Sequence, residues 1–171
     1  APYIYNNLIS ADVSNNFFAV WVQKVDTRYE AWANRYDKTT KKWGTSGTLQ
    51  IKAETSGESQ IAPPFAVWQQ TDATAGVSAV WANRYDETLG GWTGATILKQ
   101  AWEGAQSPTI AADPSGNAIA VWAEREQGGT ENNIYANRYD AAIIKNWTGP
   151  QMIENLPGRS GQPRIAMDPN G

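Results

Sequence analysis

One pattern is written three times along these 171 residues, and a chain built that way is expected to fold as a row of like units. "ANRYD" stands at 33–37, 82–86 and 136–140. Each copy follows an "AVW" (Ala19–Trp21, Ala66–Trp68, Ala120–Trp122) and precedes a tryptophan (Trp43, Trp92, Trp147). Six residues past each tryptophan comes an aliphatic (Leu49, Leu98, Ile153), and twelve further an isoleucine (Ile61, Ile110, Ile165). Counted from Ile9, the repeats are 52, 49 and 55 residues long.

Each repeat reads as four short strands. The first, "PTIAAD", closes on "DPSGN", where Asp113 opens a turn, Pro114 presets φ and Gly116 supplies a positive φ; in "DVSNN" Asn15 takes that place. The second is 117–122, the third 134–140 and the fourth 147–153, with "ETLGG" and "AAIIKN" as turns before the fourth and an eleven-residue return to the next unit. Helix-period spacing and helix caps are absent, so the chain is all-β. Four antiparallel strands per unit, three hairpin-like links and one long return make a β-propeller blade, and the chain is a segment of about three blades. Small residues on the first strand (Ser10, Ala11, Ala62, Ala111, Ala112, Ala166) suit an inner strand crowded at the axis, while Trp43, Trp92 and Trp147 suit diverging outer strands. A stack of separate sandwiches is the alternative.

The expected divisions are an outer strand of a preceding blade at 1–8, blades at 9–60, 61–109 and 110–164, and the start of a further blade at 165–171. "APYIYNNL" resembles "GPQMIENL" at 149–156, which places it as a fourth strand. In the middle repeat Pro63 and Pro64 replace the hairpin turn; neither donates to a ladder, so that inner edge is expected to be irregular. Three blades do not close a ring, which implies the remaining blades of a longer chain or self-association.

Composition removes whole classes of chemistry. There is no cysteine and no histidine, hence no disulfide, no thiol nucleophile and no Ser-His-Asp or Cys-His catalysis within the chain. No cofactor or metal is expected: the Asp-centred hairpins "DPSGN" and "DPNG" offer one carboxylate where a calcium loop needs several. A net charge of −3 without a basic patch argues against nucleic acid, and no apolar run is long enough to insert in a membrane. Nine Trp, seven Tyr and fifteen Gly fit short strands and aromatic stacking.

At "NAIAVWAEREQGGTENNIYANRYD...NWTG" the sequence resembles the β-propeller-like repeats found in tandem in secreted or surface proteins of bacteria, with the pattern AVW, NRYD, W and PxIAxDxxGNA. More loosely, "IAVW...IYANRYD...NWTG" is similar to the blade of fucose-binding propeller lectins. That resemblance implies a sugar held by an Arg and a Glu of one blade and a Trp of its neighbour; the lectin Arg falls where this chain has Ala19, Ala66 and Ala120.

The repeated motif admits two roles. Along a strand Trp32, Asn34 and Tyr36 point one way and Ala33, Arg35 and Asp37 the other, so Arg35 reaches Asp37. Arg35, Arg84 and Arg138, paired with Asp37, Asp86 and Asp140, form a structural clasp to the adjacent blade in one reading. In the other they face a cleft in which Trp43, Trp92 or Trp147 is a stacking platform for a sugar. The loops between second and third strands and the long returns share one face, and Trp102 is the large aromatic of those returns, either a plug or an exposed stacking residue. "NWT" at 146–148 is a glycosylation sequon. Glu124, Glu126 and Glu131 are the carboxylates a glycoside hydrolase would need. The expectation is a non-catalytic, lectin-like or adhesion module, extracellular or at the cell surface, with a glycan or surface polysaccharide as partner. The alternatives are a structural, self-assembling repeat and, less favoured, a fragment of a glycoside hydrolase.

Overall fold

The computed structural model describes residues 4–49, 55–71, 76–99, 104–154, 156, 158 and 160–168. Every regular element among them is a strand, and no helix is long and apolar enough to cross a membrane. The first sheet holds β1 (Ile4–Ala11), β2 (Phe17–Val25), β3 (Arg28–Asp37), β4 (Lys42–Trp43) and β5 (Gly47–Thr48). The second holds β6 (Thr55–Ala62), β7 (Phe65–Thr71), β8 (Ser78–Asp86), β9 (Gly91–Trp92) and β10 (Thr96–Lys99). The third holds β11 (Ala105–Ala112), β12 (Ala118–Arg125), β13 (Asn132–Asp140), β14 (Asn146–Trp147) and β15 (Gln151–Glu154). Each is an antiparallel blade of four strands whose outermost is broken into two pieces, both paired to the third strand. The innermost strands β1, β6 and β11 approach one another in series, as blades around a common axis do.

Three expectations need correction. Residues 4–8 do not form an outer strand of another blade: they are the first half of β1, with Ile4 opposite Gln23 and Leu8 opposite Val20. Their likeness to 149–156 is a likeness of strand composition. The inner strands β6 and β11 likewise begin five or six residues before Ile61 and Ile110, which shortens the return loops. The inner edge at Pro63 and Pro64 is a tight hairpin with Ala62 opposite Phe65, and the prolines, joined by a cis peptide bond, occupy the turn itself, where no ladder hydrogen bond is required. Irregularity lies elsewhere, as a bulge in every inner strand, between Tyr5 and Leu8, Ser56 and Ser59, and Gln106 and Thr109. Residues 165–168 are not in a strand.

The turns follow their residue chemistry. Asn15 and Gly116 hold φ of 60° and 85° in the inner hairpins, as the spacing predicts. The carboxylate of Asp113 accepts the backbone and side-chain N–H groups of Asn117, and that of Asp12 does the same for Asn16. Those contacts are ordinary turn chemistry. The amide oxygens of Asn16 and Asn117 then accept the N–H groups of Lys38 and Ala141, tying each inner hairpin to the turn before the outer strand.

The apolar core lies between blades. Val20, Ala31, Ala33 and Leu49 of the first meet Ala66, Trp68 and Trp81 of the second; Phe65, Val67, Val80 and Leu98 of the second meet Ala120, Trp122 and Tyr139 of the third. Trp68 and Trp122 are wholly buried, so their indole N–H groups need partners, and the residue two positions along the same strand supplies each, Gln70 and Glu124. Glu124 is itself fully buried and is ion-paired with Lys99 of the preceding blade, whose ammonium lies 4.2 Å from the Tyr135 ring centroid.

Candidate functional site

The four polar and aromatic letters of the repeated motif separate into four jobs. The asparagine ties blades together. Asn83 and Asn137 are buried; each donates to a carbonyl of the preceding blade, Leu49 at 3.1 Å and Leu98 at 3.2 Å, and accepts at 3.0 Å from Gly94 or Gly149 at the break in its own outer strand. In these two blades the amide thus takes up a backbone N–H that a continuous ladder would use. Gly94 and Gly149 make the turn at φ of 119° and 109°.

The tyrosine packs. Tyr85 stands edge-on to Trp92 and to Phe18 of the preceding blade, and Tyr139 stands edge-on to Trp147 and tilted against Phe65. The aspartate caps the next turn. Asp86 accepts from the N–H groups of Thr88 and Leu89, Asp140 from Ala142 and Ile143, and Asp37 from Thr40. Those backbone hydrogen bonds are the first cause holding all three carboxyls below the usual carboxylate range, with the neighbouring arginine adding to them.

The arginine faces the next blade, and there the copies diverge. Arg35 donates to Asp37 at 3.0 Å and to Glu87 of the second blade at 2.9 Å, with its guanidinium 5.7 Å from the Phe18 ring and 5.3 Å from that of Tyr85. Its side chain is 14% exposed. Burial opposes the charge, but the hydrogen bond to Asp37 and the charge of Glu87 outweigh it and raise the Arg35 pKa. Arg84 keeps only the intramotif pair, to Asp86 at 3.2 Å, and is 36% exposed; Arg138 pairs with Asp140 at 3.1 Å and is 48% exposed. Each of the three motif arginines therefore has a carboxylate partner, while burial as a clasp is confined to Arg35 among them.

Two clefts result, at equivalent places. Between the first and second blades a cleft of about 230 Å³ is lined by Arg35, Asp37, Trp43, Tyr85 and Trp92. Between the second and third, a cleft of about 580 Å³ is lined by Arg84, Asp86, Tyr139, Lys145, Asn146 and Trp147. The structure thus gathers Arg35 with Trp43 and Trp92, and Arg84 with Trp147; Arg138 lies on the far face of the third blade, outside both clefts. Trp102 lies outside the described residues. Lys145 and the asparagines were not legible as site or clasp residues in the sequence; the usable signal was the residue after each motif aspartate, Lys38, Glu87 and Ala141, where the repeats disagree.

The three carboxylates a hydrolase would need have other uses. Glu124 is sealed against Lys99 and Trp122, Glu126 accepts from the Tyr135 hydroxyl, and Glu131 accepts from the Gly158 N–H at 2.8 Å. Burial first, and the bond to Glu126 second, push the Tyr135 phenol pKa upward. Among the described residues no group of acidic side chains is placed to hold a metal ion.

No protein-family model matches the sequence, and no curated protein matches it. Solved structures share its fold. A Hadza microbial sialidase superposes over 84% of this chain with a TM-score of 0.59 at 9% identity, and a protein of unknown function from Dyadobacter fermentans over 91% with 0.58 at 10% identity. The chain spans only 36% and 43% of those two proteins. The fold is therefore that of a β-propeller, seen here as three consecutive four-stranded blades.

Proposed function

We propose that this chain is a non-catalytic recognition module, outside the cell or at its surface, that holds a saccharide in the cleft between adjacent blades. The observation that carries this reading is the cleft between the second and third blades. It joins a partly exposed guanidinium, an exposed asparagine amide and a partly exposed tryptophan in about 580 Å³, a volume suited to one or two sugar rings. Ring hydroxyls need donors and acceptors set close together, and a pyranose face needs an aromatic wall; Arg84, Asp86 and Asn146 supply the first, Trp147 and Tyr139 the second. That a sialidase shares the fold is compatible with carbohydrate as ligand, and the engagement of Glu124, Glu126 and Glu131 in structural contacts favours binding over cleavage.

One observation favours a second reading, that the blades recognise further blades. Ile9, Phe17 and Trp43 on the first blade are 63%, 41% and 48% exposed, whereas Ala118, two residues before the third blade's AVW as Phe17 is in the first, is wholly covered by its neighbour. A glycan array at near-physiological salt separates the two. Binding to any saccharide, lost in Arg84→Ala and Trp147→Ala, is the expected result. Silence across fucosylated, galactosylated and bacterial polysaccharide ligands, with self-association that persists on dilution, would leave the assembly reading in place.

A further inference from the structure

The two equivalent clefts differ by one carboxylate. In the first, Glu87 follows the motif aspartate of the second blade, and its carboxylate sits 2.9 Å from Nη2 of Arg35. In the second, the residue at that repeat position is Ala141, and Nη2 of Arg84 has no partner among the described residues. Ala141 is fixed there by its N–H bond to Asn117, so the missing carboxylate is not replaced by a shift of the backbone. Nε is buried without a partner among the described residues in both Arg35 and Arg84, so the two arginines differ at Nη2 alone. Lys145, four residues further on, lines the same cleft; the first cleft has Gly91 at the matching distance past Glu87 and takes its lysine, Lys42, from the blade that carries Arg35. Each cleft thus keeps an arginine, an aspartate and a lysine, and the second lacks the anion that Glu87 supplies to Arg35 in the first.

The first cleft thus displays, within the protein, the group that a motif arginine takes from the facing blade. We propose that the cleft between the second and third blades binds a carboxylate-bearing sugar, a uronic acid unit, whose carboxylate occupies on Arg84 the place that Glu87 occupies on Arg35. This rests on the saccharide reading above and names the class of sugar. The carboxylate accepts from Nη2 of Arg84 and lies within the field of Lys145, while the ring sits against Trp147 and Tyr139. Asp86 occupies Nη1 of Arg84 and the N–H groups of Thr88 and Leu89, and Arg35, which holds Asp37 on Nη1 and Glu87 on Nη2, shows that a motif arginine takes two carboxylates at once. Glu87, half-exposed, holds the first cleft shut against the same ligand.

The test is calorimetric titration with the trisaccharides of galacturonate, glucuronate and mannuronate and with their methyl esters, which keep the shape and remove the charge. At least one acid is expected to bind with one site per chain, at least about tenfold tighter than its ester, since a charge-assisted hydrogen bond is worth that much. Ala141→Glu supplies the internal carboxylate and is expected to abolish binding with unchanged circular dichroism; Glu87→Ala is expected to raise the stoichiometry to two. Lys145→Gln, on an exposed turn, gives a loss of affinity in a variant whose folding is not at risk. If esters bind as tightly as acids and Ala141→Glu still blocks them, the saccharide reading survives and the carboxylate inference is wrong. An acid that binds undisturbed by Ala141→Glu and Lys145→Gln also overturns it, and binding of none of the probes overturns it outright.

Discussion

Because one motif occurs in three settings, the molecule contains its own control for the asparagine clasp. Asn137 is 3% exposed; its amide donates to the Leu98 carbonyl across the blade boundary and accepts from Gly149. Replacement by Ala strands both a carbonyl and an N–H in the interface. Each buried group left unpaired costs about 1–3 kcal/mol, so with two such groups Asn137→Ala is expected to lose about 2–6 kcal/mol. Asn34, the same letter in the first blade, makes only a local bond among the described residues, accepting from the N–H of Arg35, and Asn34→Ala is expected to lose less than about 1 kcal/mol. Equilibrium urea unfolding, read by tryptophan fluorescence, reports both as midpoint shifts at a common slope. Equal losses for the two variants would refute the assignment of the asparagine as the inter-blade tie.

Other outcomes follow from the same contacts. Arg35→Ala, which breaks two ion pairs and two ring contacts, is expected to cost about 1–3 kcal/mol in the same assay, and Arg84→Ala less than about 1, because Asp86 keeps its backbone donors. Lys99→Gln leaves the buried Glu124 without its counter-charge and is expected to cost about 3–5 kcal/mol; adding Glu124→Gln, which copies the Gln70 of the preceding blade, recovers most of that loss. Asp37, Asp86 and Asp140 have carboxyl pKa values depressed by folding, so the stability they contribute is present above the unfolded value of about 4 and is lost as the pH falls through the folded values. The urea midpoint is therefore expected to hold from neutral pH to near 5 and to decline below about 4, and Asp140→Asn is expected to flatten part of that decline.

The fold was legible because spacing alone reveals a repeat: AVW, NRYD and the following tryptophan mark the second, third and outer strands of every blade. The alternation along the third strand also placed Asn34 and Tyr36 opposite Arg35 correctly. Boundaries were less legible, since Ile4–Leu8 has the composition of an outer strand and only its pairing with β2 shows otherwise. The division of labour inside NRYD could not be read from one strand, because what Asn137 or Arg84 touches is set by the blade beside it. Trp43 illustrates the same point from the other side. Its equivalents Trp92 and Trp147 are partly covered by Phe18 and Phe65 of the preceding blade, while Trp43 meets Tyr36 of its own blade and is half exposed.

The claim on which the functional account stands is that Trp147 walls a ligand cleft. Its most direct test is the indole N–H spectrum of the ¹⁵N-labelled protein, whose nine tryptophans are assigned by single substitutions, titrated with the best saccharide from the array or, failing a hit there, with the uronate trisaccharides. The account predicts that the Trp147 signal moves with a saturable curve while those of the fully buried Trp68 and Trp122 stay in place. An unmoved Trp147 signal at saturating saccharide, or shifts confined to other tryptophans, would contradict it.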